Sequence, residues 1–410
     1  LNYNKQQEPG VNNGYGVNVN INRFEAFMKN GFVFTRPKTS IGTILNFASH
    51  QQNSLFGLNE YLGNELYASA NFIFETYIKN TNNTIKTGLS YLYNNFDETF
   101  QGIDYLREES VPGVFAEYQY KPSEKLSVLV GARADYHNLY GTFLTPRVHF
   151  KYNAFKATTF RASVGKGYRT ANVFAENTSL LTSNRALQIS SNLLPEEGWN
   201  YGFTIIQPFE LNHNEGTLTF DVYRTDFVNQ VVVDIDASSD SIYIYNLKGD
   251  SYSNVIQAEL NYTVFKNFDL RTAYKFTDAK ETYHDELLEV PLTFKHRGLV
   301  NLSYNWKRAG ILFDATAQLY GSSRLPDLSE NHAAHDIGTT SPAYALYLGQ
   351  ITKQFDKIEV YVGSENIGNY TQHHPIIGAT DPFGADFDAS VIYAPLMERK
   401  FYGGIRIIFN

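Results

Sequence analysis

The chain has 410 residues, a net charge of −8, no Cys and only 2 Met, yet Phe and Tyr reach 30 each and charged residues stop at 19%. Without Cys there is no disulfide framework, no Cys-ligated zinc and no thiol nucleophile, and a negative balance with no Lys/Arg cluster argues against a general nucleic-acid binder. A hydrophobic content of 43% is too rich for a disordered chain; no apolar run of about 18 residues could form a transmembrane helix, a test that says nothing of barrels, whose strands alternate.

Leu1 is followed by no basic segment and apolar run of the kind a leader has, and residues 1–21 read as loop. The chain is expected to be either a processed product or part of a longer protein, and the organisation below favours a part. From residue 22 the hydrophobic period is two. Leu66, Ala68, Ala70, Phe72 and Phe74 alternate with Tyr67, Ser69, Asn71, Ile73 and Glu75; Leu126, Val128, Val130, Ala132 and Ala134 alternate with Ser127, Gly131, Arg133 and Asp135. The pattern is cleanest at Ile256, Ala258, Leu260, Tyr262 and Val264 against Gln257, Glu259, Asn261 and Thr263, and it returns at 300–306 and 311–319. Strict alternation means a strand with one apolar and one polar face. No helical period competes with it, so the fold class is all-β.

About 17 strands are predicted: near 22–36, 40–53, 64–79, 82–96, 110–120, 125–139, 142–153, 156–166, 198–211, 215–233, 251–265, 267–280, 291–306, 309–322, 342–355, 358–368 and 396–409. At roughly 10 to 16 residues they exceed the strands of soluble domains and suffice for a tilted bilayer crossing. Short polar turns (36–39, 80–83, 121–124, 153–156, 212–215, 266–267, 307–310 and 356–357) alternate with mostly long connections (54–63, 97–109, 140–141, 165–197, 234–250, 281–290, 323–341 and 369–395). That alternation describes a transmembrane antiparallel up-and-down β-barrel with short periplasmic turns and long extracellular loops. Aromatic residues near strand ends, such as Tyr118/Tyr120, Tyr304/Trp306 and Phe401/Tyr402, suit interfacial girdles. A propeller would show a repeat of about 40 to 50 residues and a sandwich would have short strands and even loops; neither pattern is present.

The run Phe160-Arg161-Ala162-Ser163-Val164-Gly165-Lys166-Gly167-Tyr168-Arg169-Thr170-Ala171-Asn172, leading into Val173-Phe174-Ala175-Glu176-Asn177, is similar to a segment of TonB-dependent outer-membrane receptors, especially Bacteroidetes-type members. Leu194-Pro195-Glu196-Glu197-Gly198-Trp199-Asn200-Tyr201-Gly202, Gly363-Ser364-Glu365-Asn366-Ile367-Gly368-Asn369-Tyr370 and Pro382-Phe383-Gly384-Ala385-Asp386-Phe387-Asp388-Ala389 extend the resemblance over essentially the whole chain. The closing segment Phe401–Asn410 resembles an outer-membrane assembly signal, with Asn410 departing from the usual terminal aromatic. The resemblance implies a 22-stranded barrel holding an N-terminal plug, a short box that binds the TonB complex, and residence in the outer membrane of a Gram-negative bacterium. Residues 1–410 are then the C-terminal part of one barrel domain, with signal peptide, plug and about five strands lying before it.

The implied function is active uptake of a scarce nutrient, with iron transport as a ferric siderophore, or another metal complex, as the default ligand. Cobalamin or glycan uptake and a passive porin or channel are the alternatives. The partners are outer-membrane lipid, the TonB complex and a small nutrient ligand, without nucleic acid. No cofactor is required. No Gly-x-Ser-x-Gly elbow or comparable constellation stands out, so no enzyme is expected.

The candidate substrate-binding residues lie on the longest loop: Tyr168, Arg169, Asn172, Phe174, Glu176 and Arg185. Arginines and aromatics there could hold an anionic chelate, or Arg169 and Glu176 could form an ion pair that orders the strand ends. Candidate metal ligands are His332 and His335 (with Asp336) and the pair His373-His374, since neutral imidazoles bind divalent metals; the plainer reading is four solvated side chains. Only Met28 and Met397 are present, which weakens a thioether Cu(I) site. Acidic groups at Glu98, Asp104, Glu108 and Glu109 and at Glu281, Asp285, Glu286 and Glu289 could attract cations or simply keep loops soluble. Asp381, Asp386 and Asp388 with Gly384 are loosely calcium-like but lack the spacing of an EF-hand.

Overall fold

The computed structural model describes residues 15–283, 285–328 and 337–408. Its strands in chain order are β1 (Val17–Val33), β2 (Ser40–Phe56), β3 (Asn59–Tyr77), β4 (Asn83–Phe100), β5 (Ile103–Tyr120), β6 (Leu126–His137), β7 (Gly141–Ala154) and β8 (Thr158–Arg169). After a short helix, α1 (Val173–Glu176), come β9 (Ala186–Ile189), β10 (Glu196–Leu211), β11 (Asn214–Val228), β12 (Val231–Asp234), β13 (Ser241–Asn246), β14 (Ser251–Phe265) and β15 (Phe268–Tyr283). The last are β16 (Glu286–Glu289), β17 (His296–Trp306), β18 (Ile311–Tyr320), β19 (Tyr344–Gln354), β20 (Ile358–Glu365) and β21 (Lys400–Ile407).

Eighteen strands form one antiparallel sheet. One of them, the four-residue β16, only extends the β15 pairing into a loop. The other 17 range from 8 to 19 residues and follow one another in sequence order, as the alternating pattern predicts. Such an order places every short turn on one rim and every long connection on the other. Among the described residues, β1 pairs only with β2 and β21 only with β20, so the sheet has two open edges.

The rows across the wall show what alternation achieves. Phe72, Leu89, Val114, Ala134 and Leu144 stand directly opposite one another on β3 to β7 and all point outward. Leu89 is 58% exposed, and its large neighbours in the row are exposed as well. An apolar belt of this extent in water would aggregate; in lipid it is the matching surface, while the ladder satisfies backbone groups that hydrocarbon cannot. The opposite face carries ion pairs between strands: Lys86 with Glu75 at 3.4 Å and Arg271 with Glu259 at 3.1 Å on adjacent strands, and Arg147 with Glu117 across β6, where Gly131 stands between them.

Two expected loops are strand instead. β2–β3 and β4–β5 run past the wall as ribbons, and 54–63 and 97–109 hold only the tight turns Gly57-Leu58 and Gln101-Gly102. Gly57 at φ 63°, and Gln101 and Gly102 at φ 51° and 77°, adopt the left-handed backbone that matches the twist of a two-residue hairpin. The expected strand 215–233 breaks after Val228, where Asn229 takes φ 54° and turns the chain into β12. There β12 pairs with β13, and β13 pairs in parallel with β9. This small sheet joins two loops over the barrel mouth.

Candidate ligand-binding mouth

Among the described residues, the four clusters of buried apolar side chains all lie on the loop rim. Phe56, Tyr61, Phe100, Phe174 and Leu181 form one; Leu180, Ile235, Ile242 and Ile244 a second; Leu325, Leu328, Ile377 and Val391 a third; Val232, Leu247 and Tyr283 a fourth. The loops therefore fold as a cap with its own interior.

The segment after β8 is fastened from several directions. Phe174, on α1, inserts between the ribbon tips, with ring centroids 5.4 Å from Tyr61, 5.6 Å from Phe100 and 5.0 Å from Tyr105. The Arg169 guanidinium bridges Glu176 at 2.9 Å and Glu196, and Glu196 Oε1 also accepts the Val231 N–H at 2.8 Å. The ion-pair reading of Arg169 and Glu176 thus describes their geometry, with Glu196 as a third member. Asn172 accepts from Arg107 through its side-chain oxygen and donates its N–H to Glu176 Oε1 at 3.1 Å. Tyr168 stacks on Phe143 with centroids 4.0 Å apart.

Arg185 is buried at the centre of the cap. Its Nη2 donates to the carbonyl oxygens of Ile235 at 2.8 Å, Ser241 at 3.2 Å and Ser238, and its Nη1 to Asp388 Oδ2 at 3.5 Å. Burial pulls its pKa down while Asp388 opposes the shift. The one side chain thereby fastens three loops. A second lock lies beside it: Arg324 grips Asp236 with two bonds of 3.0 and 2.7 Å, donates to the Glu289 carbonyl at 2.6 Å, and stands over the Tyr283 ring. Tyr15 closes the near edge, with its ring 4.6 Å from that of Phe387; burial, aided by Asp388, pushes its phenol up to about 12.

Two of the six predicted residues line an open groove. A cavity of about 450 Å³ runs along Arg147, His149, Gly165, Gly167, Tyr168, Arg169, Glu196 and Asn200. A methyl group at Gly167 would meet nothing within 4 Å, so the glycine leaves room that a side chain would fill. Lys166 pairs with Glu197 on the same wall. Arg147, His149 and Asn200 belong to the site although the sequence reading did not single them out. Their signal was available: Arg147 and His149 occupy the polar alternation of β7, and the register sets Arg147 opposite Gly165 and His149 opposite Ser163.

The remaining candidates are dispersed. His373 and His374 are exposed beside a second cavity of about 410 Å³ lined by Leu325, Ile377 and Tyr393, while His332, His335 and Asp336 lie outside the described residues. Among the described residues no three His, Asp or Glu side chains gather as a metal site. Of the acidic groups, Glu109 pairs with Arg107 at 2.9 Å, Glu281 accepts the Tyr283 hydroxyl at 2.6 Å, Glu289 pairs with Lys295 at 2.5 Å, and Asp388 is held by Arg185. The loops nonetheless remain strongly negative. The eight long connections named above carry 23 of the 42 carboxylates and 6 of the 34 Lys and Arg.

A family model described as TonB dependent receptor-like, beta-barrel, matches residues 1–367. The ferric enterobactin receptor of Pseudomonas aeruginosa shares the fold with a TM-score of 0.69 at 13% identity, over 95% of this chain and 62% of that one. The siderophore receptor PirA of Acinetobacter baumannii gives 0.70 at 13% identity over 95% and 63%. The copper transporter OprC gives 0.69 at 12% identity over 95% and 65%. No curated protein matches the sequence. At such identities the likeness is one of fold, and the chain spans a little under two thirds of the length of these receptors.

Proposed function

Because this chain belongs to the TonB-dependent receptor β-barrel family, a family of transporters rather than enzymes, we propose that it is the C-terminal part of a gated outer-membrane importer. In this reading residues 1–410 are one part of a single barrel domain. Further strands pair with the open edges of β1 and β21, because a bilayer tolerates no unpaired edge, and a plug and a TonB-binding segment are supplied by the rest of the protein. The observation that carries the reading is the inversion of the wall: large apolar side chains are exposed on one face, and ion pairs lie on the other.

The ligand we propose is a metal complex, a ferric siderophore first. Arg169 and Arg147, each paired with glutamate but still exposed, and the exposed His149 offer donors in the groove beside Tyr168, whose ring is stacked on Phe143. Phe174 and Arg185 serve the loop architecture, since protein groups already surround both. The loop charge favours a neutral or cationic complex over a polyanion, because a one-sign field at a mouth concentrates opposite charge and repels like charge.

The test is uptake by the full-length receptor in an outer-membrane-receptor deletion strain under iron limitation. A neutral ferric hydroxamate and a trianionic ferric catecholate would be offered with and without TonB. Saturable, TonB-dependent uptake that prefers the neutral complex is expected. Uptake that rises linearly with concentration and ignores TonB would replace the importer with a passive channel; a preference for the trianion would refute the charge argument alone.

A further inference from the structure

The rim opposite the cap carries the reverse charge and a different chemistry. Seven of its eight turns carry Lys or Arg within a few residues of a large apolar or aromatic side chain at the strand end. Phe34 precedes Arg36, Tyr120 precedes Lys121, Phe265 precedes Lys266, Trp306 precedes Lys307, and Phe355 precedes Lys357. These aromatic rings are outside: Phe265, Trp306 and Phe355 are 53%, 47% and 56% exposed. Arg36, Lys38, Lys79, Lys266, Lys307, Arg308 and Lys357 are exposed too, while Lys121 and Lys353 are half-buried, Lys353 lying 5.4 Å from the Phe355 centroid. Lys121 is paired with Glu124 at 2.8 Å. Among the described residues, Lys79, Lys266, Lys307, Arg308 and Lys357 have no ion pair. The exception is the β10–β11 turn, where Glu210, His213 and Glu215 replace the cations.

An aromatic ring at headgroup depth beside an unpaired cation just beyond it is the arrangement that suits an anionic lipid surface: the ring sits at the boundary, and the alkyl stem of Lys reaches past it to the phosphate. We infer that the turn rim is a docking surface for the anionic phospholipid headgroups of the leaflet facing the turns. The inference rests on the outer-membrane barrel reading above, and the apolar belt that ends at these aromatics makes the surface continuous with the lipid face. The β10–β11 turn would leave a gap in the ring at which such lipids are not held.

The experiment uses the full-length receptor extracted into polymer nanodiscs from vesicles of phosphatidylglycerol and phosphatidylcholine in equal parts, with the retained lipids quantified by mass spectrometry. One variant joins Lys79→Gln, Lys266→Gln, Lys307→Gln, Arg308→Gln and Lys357→Gln. A second carries Lys248→Gln, Arg399→Gln and Lys400→Gln on the cap side, and a third keeps the charge with Lys→Arg at the four turn lysines. Phosphatidylglycerol enrichment is expected in the wild type, the cap variant and the Lys→Arg variant, and is expected to fall by about tenfold in the turn variant. Insertion with equal enrichment in all four overturns the inference and leaves the barrel standing. Failure of every protein to insert, read by heat-modifiable mobility and protease protection, overturns the barrel reading and the inference together.

Discussion

The wall and the cap use the same residue types in opposite senses. Leu89 in the wall is 58% exposed and Leu181 in the cap is 1% exposed. The wall suits an apolar solvent because, between the open edges of β1 and β21, its backbone is paired strand to strand, and its large side chains need only face outward. The cap sits in water, and it has to build an interior from short segments that cannot hold a shape alone: α1, β9, β12, β13 and the two ribbon tips. Its solution is a few anchors of high value, namely the Phe174 ring, the Arg185 hub and the Arg324–Asp236 lock. Two folding problems are thus solved in one chain, and a mutation should reveal which it touches.

The largest effect should come from Arg185→Ala. It strands Asp388 and three carbonyls inside the cap, and removing one partner of a buried ion pair costs about 3–5 kcal/mol. Limited proteolysis of the full-length receptor should then cut within 170–195 and 229–250 while heat-modifiable barrel mobility persists. Loss of mobility as well would show that the cap supports the wall. Phe174→Ala should come next, at about 3 kcal/mol or more for a buried ring replaced by a cavity. Cutting should again be confined to the loops; a protease pattern like wild type would disprove the anchor.

The reverse test is Leu89→Arg. A charge on the lipid face near mid-membrane costs about 2–4 kcal/mol, so folding into vesicles should weaken in denaturant titration with the cap's cutting pattern unchanged. A smaller effect is expected from alkali. The Tyr15 phenol is raised from 10.0 to about 12, with burial the main cause and Asp388 adding to it, and burial beside Asp234 raises Tyr245 in the same direction. A raised phenol contributes stability that is fully present below the unfolded value and is lost as pH rises through the folded one. The cap should therefore loosen between about pH 10 and 12, seen as loop proteolysis with strand circular dichroism retained; loss of both signals together would erase the distinction between cap and wall.

Most of the wall was legible because period-two alternation is a local signal. The run Ile256 to Val264 announces a strand without knowledge of its neighbours, and the turns at Lys121–Glu124 and Lys266-Asn267 mark where it reverses. The ribbon tips were missed because Gly57-Leu58 and Gln101-Gly102 sit among mixed polar and aromatic residues that read as loop. β9, β12 and β16, at four residues each, are too short for any period to register. At the site, the Arg169–Glu176 pairing was one of the two readings that opposite charges on the same loop allowed, and the fold selects it. The place of Arg185 was not, since its partners lie 50 to 203 residues further along the chain. An arginine in a loop has the same appearance in sequence whether it meets a ligand or three carbonyls, and only the fold separates the two.

The reach of Arg185 has a consequence in time. Ile235, Ser238 and Ser241 arrive with the next loop, but Asp388 belongs to the last one before β21. The mouth cannot latch until the final strands have been laid down in register. A barrel that stalls or mispairs late leaves a guanidinium in the cap without its carboxylate, and its loops stay loose and open to proteases. The latch therefore closes only once the loop carrying Asp388 has been brought back to the loop carrying Arg185, across more than half of the strands.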